Sequence, residues 1–242
     1  MHNISQTRKI YFLRLFGRVI ILLITILLLF YDKKEFEVIN GMEFFKSFSF
    51  LLILWIIWMI DMTVQLMPVK AHISIGSQKI FSSLFKPVID KFNRKNLIDY
   101  IKETTASAYI VMIIWLVLVV ALSILHLCGV ISSEIMVLVS VVFYVCDLIC
   151  VLIWCPFRLI MRNKCCTTCR IFNWDHLMMF LPIISLNSFF SWSLVIFSFI
   201  IWLVWEICVF TYPERFWEHS NMALKCSECT DKRCTQYCRK LR

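Results

Sequence analysis

At 242 residues the chain has the length of one or two soluble domains, but a 60% hydrophobic content, a mean hydropathy of +0.79 and only 17% charged residues exclude that class. With four glycines and five prolines it cannot build a phosphate-cradling loop, and neither the P-loop nor the Rossmann fingerprint occurs, which removes most ATP-driven and nicotinamide-linked readings. The net charge of +9 sits in residues flanking apolar segments, where it meets anionic lipid headgroups, and no nucleic-acid partner is expected.

A helix needs about 20 apolar residues to cross about 30 Å of hydrocarbon. The first such segment, about 11–31, follows Arg8 and Lys9 and ends at Asp32-Lys33-Lys34 without a small-residue cleavage site, so it reads as a retained anchor rather than a signal peptide. Arg14 and Arg18 lie one turn apart in it and are expected to snorkel to the headgroups. The second span covers about 44–67 and ends before Pro68.

In the connection 70–104, Ile80, Phe81, Leu84, Phe85, Val88, Ile89 and Phe92 recur with helical period opposite Lys79, Lys86, Lys91 and Arg94. This predicts an amphipathic interfacial helix kinked near Pro87, with its basic face toward anionic headgroups. Asn96 is the expected cap of the helix that feeds the third span. The third and fourth spans cover about 106–128 and 135–160. The last apolar stretch, 177–210, is either one long crossing with an interfacial lead-in or a hairpin turning near Asn187 to Ser193. The hairpin is preferred, because it returns the basic tail 211–242 to the side of the other basic connections.

The charge of the connections alternates. The arm through Arg18 has four basic residues and no acid, 32–43 has two basic and four acidic, and 68–105 has seven basic and three acidic. The positive-inside rule therefore places the N terminus, the 68–105 connection and 162–176 in the cytoplasm, and the hairpin reading adds the tail, in a protein expected in the plasma membrane. The fold expected is an all-α polytopic bundle of about five to six transmembrane or re-entrant helices over 1–210, followed by a small Cys-rich tail.

Seven of the twelve cysteines fall in two polar stretches, Cys165-Cys166-x-x-Cys169 and Cys226-x-x-Cys229 followed by Cys234 and Cys238. Thiolates two residues apart on a turn grip one metal, and two such pairs complete a tetrahedral zinc site. Cys166, Cys169, Cys226 and Cys229 are the expected ligands, with Cys234 and Cys238 as alternatives or a second site and Cys165 as a substitute for Cys166. An iron–sulfur cluster or disulfides are the lesser readings. Asp175 and His176 are candidate extra ligands or outer partners of the thiolates. A redox pair of Cys146 and Cys150, one turn apart, is a minor alternative.

Ionisable groups within the spans are functional candidates by their cost alone. They are Asp61, His126, Asp147, Arg158 and Glu206. The expected pairings are a network of Asp61, Arg158 and Glu206 and a contact between Asp147 and His126. The leading function is a non-enzymatic binding, scaffold or sensor module with a membrane-surface zinc site, acting with a protein partner or as a homo-oligomer. The alternatives are a membrane oxidoreductase using CxxC thiols or an iron–sulfur centre, and a small channel or transporter using the intramembrane acids.

Overall fold

The computed structural model of the chain describes residues 6–37, 39, 45, 48–67, 79–88, 93–161 and 168–225. Among them the elements are helical, with no strand and one isolated bridge between Pro87 and Asn221. Six elements carry the architecture: α1 (Gln6–Tyr31), α2 (Phe50–Gln65), α3 (Arg94–Leu127), α4 (Ser133–Leu152), α5 (Asp175–Phe180, continued by a 3-10 segment Leu181–Leu186) and α6 (Phe189–Thr211). Of these, α1, α3, α4 and α6 are long and apolar enough to cross a membrane, while α2 and the run Asp175–Leu186 are shorter apolar helices. These lengths and compositions are compatible with an integral membrane protein.

Local chemistry sets the helix limits and corrects several expected boundaries. Ser49 caps α2 by accepting a 3.2 Å hydrogen bond from the Leu52 amide, so this helix starts well after residue 44. Asn93, not Asn96, caps α3 through the Lys95 amide at 2.9 Å, and the polar turns Arg94–Thr105 are continuous with the apolar ones. α4 stops at Leu152 rather than Ile160. Pro156 cannot continue a helix, and the chain restarts only as the short turn Phe157–Met161.

Within 79–88 the expected amphipathic helix is replaced by a single 3-10 turn, Ser82–Leu84, with extended residues at Phe81 and Phe85. Pro87 lacks an amide donor, and this stretch instead pairs with the chain after α6. Met222 N donates to Lys86 O at 2.8 Å, Val88 N donates to Ser220 O at 3.2 Å, and the Arg215 guanidinium donates to Ile80 O at 2.7 Å. Residues 89–92 lie outside the described set.

The last apolar stretch is not one helix. Asn187 adopts the left-handed conformation (φ 48°) that ends the 3-10 segment, and Ser188 with Ser191 forms a capping box that starts α6. The two arms run in opposite directions beside α2. Gln65, at the end of α2, donates to Asp175 at 3.0 Å, whereas Trp55, nearer its start, donates to Ser193 at 2.8 Å. The chain therefore turns at Asn187 and comes back to the end where it left. That end also holds the 79–88 segment and the residues following α6.

The core lies where α2, α4, α5 and α6 meet. Trp58 of α2 is fully buried against Tyr144, Phe180 and Phe190, with ring centroids 5.9, 4.9 and 6.1 Å away. α1 and α3 flank this core and expose apolar side chains such as Leu13, Phe16, Ile113 and Val117. In water that surface would drive aggregation; in hydrocarbon it is matched.

Candidate functional site

Two clusters of buried charge sit toward the tail end of the bundle. The first is centred on Arg18 of α1, which does not snorkel outward. Its side chain is 8% exposed and reaches inward between α2 and α4. Nη1 donates to Asp147 Oδ2 at 2.7 Å and to the Tyr144 carbonyl at 2.6 Å, and Nη2 donates to Asp61 Oδ2 at 2.9 Å. The guanidinium also stacks over the Tyr144 ring, 3.8 Å from its centroid. A buried guanidinium is tolerable only when its donors are met, and two carboxylates from two helices meet them here.

α5 brings two more groups to this cluster. Asp175 Oδ1 accepts from the His176 amide at 2.7 Å and lies 2.9 Å from His176 Nδ1, so that nitrogen carries its proton. The other ring nitrogen, Nε2, points toward Asp61 Oδ2 at 3.8 Å, beyond hydrogen-bond range, and has no hydrogen-bond partner. Asp175 and His176 thus face the intramembrane acids, and Asp175 also borders the cavity that Cys169 lines; Cys165 and Cys166 lie outside the described residues.

Three cavities adjoin these charges. One of about 340 Å³ between α1 and α2 is bordered by Arg14, Arg18 and Asp61 between apolar walls that include Ile57 and Ile60. A small one of about 40 Å³ lies between Arg18, Asp61, Gln65, Asp147 and His176. The third, about 260 Å³ and mostly apolar, is bordered by Asp147, Asp175 and the cysteines 146, 150, 155 and 169.

The second cluster is sealed. Arg170 donates to Glu206 Oε2 at 2.6 Å, with side chains only 4% and 6% exposed. Trp174 Nε1 donates to Glu206 Oε1 at 2.8 Å, and the Tyr109 hydroxyl donates to Oε2 at 3.4 Å. This brace ties the segment entering α5 to α3 and α6. Arg158, the expected partner of Glu206, belongs to the short turn Phe157–Met161, and its side chain lies outside the described set. His126 does not meet Asp147. Its Nε2 lies 3.3 Å from Ser133 Oγ, across the α3–α4 connection at the far end.

Of the cysteines proposed as ligands, Cys169 is buried among Ala108, Val111, Met161, Ile171 and Trp174. Burial pushes its thiol pKa up, which disfavours a bare thiolate. Cys165, Cys166, Cys226, Cys229, Cys234 and Cys238 lie outside the described residues. Among the described residues no group of three or more His, Cys, Asp or Glu side chains is arranged to hold a metal. Cys146, Cys150 and Cys155 are free thiols that border the same cavity.

The sequence assigns Arg18 to the headgroups and does not single out Arg170; the structure gives each a buried carboxylate partner. The available signal was positional: Arg18 lies a full turn deeper than Arg14, and a lone buried acid such as Glu206 requires a cation. No protein-family model, curated protein or solved structure matches the chain.

Proposed function

We propose that the chain is an integral membrane binding or scaffold module whose two cysteine segments together form one metal site, with zinc as the ion. Cys166, Cys169, Cys226 and Cys229 are the ligands, and Cys165, Cys234 and Cys238 are alternatives. The site lies on the cytoplasmic surface of the plasma membrane, with both termini on that side.

The supporting observation is the packing of the residues that flank the two segments. Thr168, which precedes Cys169, hydrogen-bonds Tyr100, and Tyr100 in turn stacks on Trp217, with ring centroids 5.8 Å apart. Met222 and Ser220 are pinned to the 79–88 segment just before the tail begins. The described residues that border the two cysteine segments lie at one end of the bundle, which supports a shared site. The sealed Arg170–Glu206 pair braces the first of them from below. Four thiolates there would hold zinc tetrahedrally and join the tail to the α4–α5 connection.

Metal content of anaerobically purified, detergent-solubilised protein tests this reading. About one zinc per chain is expected, lost in a Cys166→Ser/Cys226→Ser variant. Bound iron with a brown chromophore would favour electron transfer instead, and metal-free protein would overturn the reading.

A further inference from the structure

The small cavity beside Arg18 is short of one positive charge and one hydrogen-bond bridge. Its charged border consists of Arg14 and Arg18 from α1, Asp61 from α2, Asp147 from α4 and Asp175 beside His176 on α5; Tyr11 adds a neutral phenol. Three carboxylates against two guanidiniums leave one negative charge uncompensated in a low-dielectric site.

The hydrogen bonding has a matching gap. With the proton on His176 Nδ1 committed to Asp175, a neutral imidazole would aim the bare lone pair of Nε2 at the Asp61 carboxylate, 3.8 Å away. His176 is 3% exposed, so bulk water does not relieve this. Gln65 spends its amide NH on Asp175, and its Oε1 is buried without a donor. The space between them, about 40 Å³, is large enough for one water molecule.

We propose that this cavity is a proton-binding site, in which His176 is held as an imidazolium and one water bridges it to Asp61 and Gln65. The water accepts from Nε2–H and donates to Asp61 and to Gln65 Oε1, so that every orphaned atom gains a partner. The bound proton also neutralises the cluster. Entry is through Asp61. Its side chain is 24% exposed, and it borders both the small cavity and the larger one between α1 and α2. A proton arriving from the larger cavity lands on the Asp61 carboxylate and passes through the water to Nε2. Asp61 then returns to its ionised, Arg18-paired form, and the net change is one proton bound. The site is independent of the cysteine metal centre.

The test is nitrogen-15 NMR of histidine-labelled full-length protein in lipid nanodiscs, followed across a pH titration. The resonances are assigned by replacing His2, His72, His126 and His219 one at a time, leaving His176 intact. His176 is expected to keep both ring nitrogens protonated above the pH at which free imidazole loses its proton, a proton affinity at least about tenfold higher. Asp61→Asn is expected to reduce that affinity by about tenfold or more; Asp175→Asn supplies the second arm if the first variant does not fold. A wild-type His176 that loses its proton where free imidazole does overturns the site. An Asp61→Asn protein with unchanged His176 titration overturns the role of Asp61.

Discussion

The two buried arginines solve the same problem in opposite ways. Arg170 meets a single carboxylate, which also accepts from an indole and a phenol; the pair is buried, and Arg170 Nε and Nη1 have no further hydrogen-bond partner. Arg18 is shared between two carboxylates on different helices, next to cavities on either side and an imidazole whose second nitrogen is unmet. A closed pair can only hold helices together. In the open cluster an imidazole lies beside a water-sized space, so a proton can be taken up there while Arg18 stays charged and the helices stay joined.

The sharpest way to break this contrast is at Glu206. Glu206→Leu strands Arg170 in apolar surroundings and unpairs Trp174, and is expected to destabilise the protein by about 3–5 kcal/mol. Unfolding in detergent, followed by tryptophan fluorescence, measures it. Replacing both partners by leucine should recover much of the loss, because an apolar pair carries no desolvation penalty. No recovery would mean that the pair does more than brace.

At the open cluster the expected loss is smaller. Arg18→Leu leaves Asp61 and Asp147 without their cation, but Asp61 borders a cavity and both acids can take up protons. A destabilisation of about 2–3 kcal/mol follows from hydrogen bonds left unmade. Adding Asp61→Asn and Asp147→Asn should restore most of it, a non-additivity that the same unfolding assay detects. If the Arg18 variant proved the more damaging of the two single substitutions, the open cluster would be the main clamp of the bundle.

The apolar runs around residues 11–31 and 106–128, and the apolar stretch 177–210 that holds α6, were legible because lipid demands long hydrophobic segments, which hydropathy reads directly. The return of the chain at Asn187 was also legible, from the polar residues that interrupt the stretch. What was hidden is pairing. Asp61 and Asp147 stand out as isolated acids, yet nothing in one dimension says that Arg18, on the first helix, faces both. The 79–88 segment misled for a different reason. Its apolar residues recur with helical spacing, but they serve an irregular stretch in which Ile80 is buried and Lys79 lies about 6 Å from the Trp205 and Phe216 rings. Periodicity cannot tell a helix from a pinned loop when the partner is 135 residues away, as in the bond from Arg215 to Ile80.

Substituting one hydrogen-bonding side chain in each cluster separates their roles more finely. Gln65→Leu removes the donor to Asp175 and the acceptor proposed for the water, at an expected cost of about 1–2 kcal/mol. If the small cavity were dry, the same change would also remove an orphaned oxygen, and the cost would fall toward zero.

The smallest effect belongs to Tyr109→Phe in the sealed cluster. Its hydroxyl is 3.4 Å from Glu206, long for an O–H···O bond, and Glu206 keeps the two shorter donors of Arg170 and Trp174. The ring itself stays useful, because it packs against Trp174 with centroids 5.6 Å apart, and phenylalanine preserves that contact. A loss of no more than about 0.5 kcal/mol is expected, below the usual net value of a hydrogen bond. A carboxylate that already has good donors gains little from another, whereas an imidazole nitrogen with none gains much from one. A Tyr109→Phe protein losing as much stability as Gln65→Leu would show the sealed site to be as dependent on every donor as the open one, and the distinction between brace and proton site would fail.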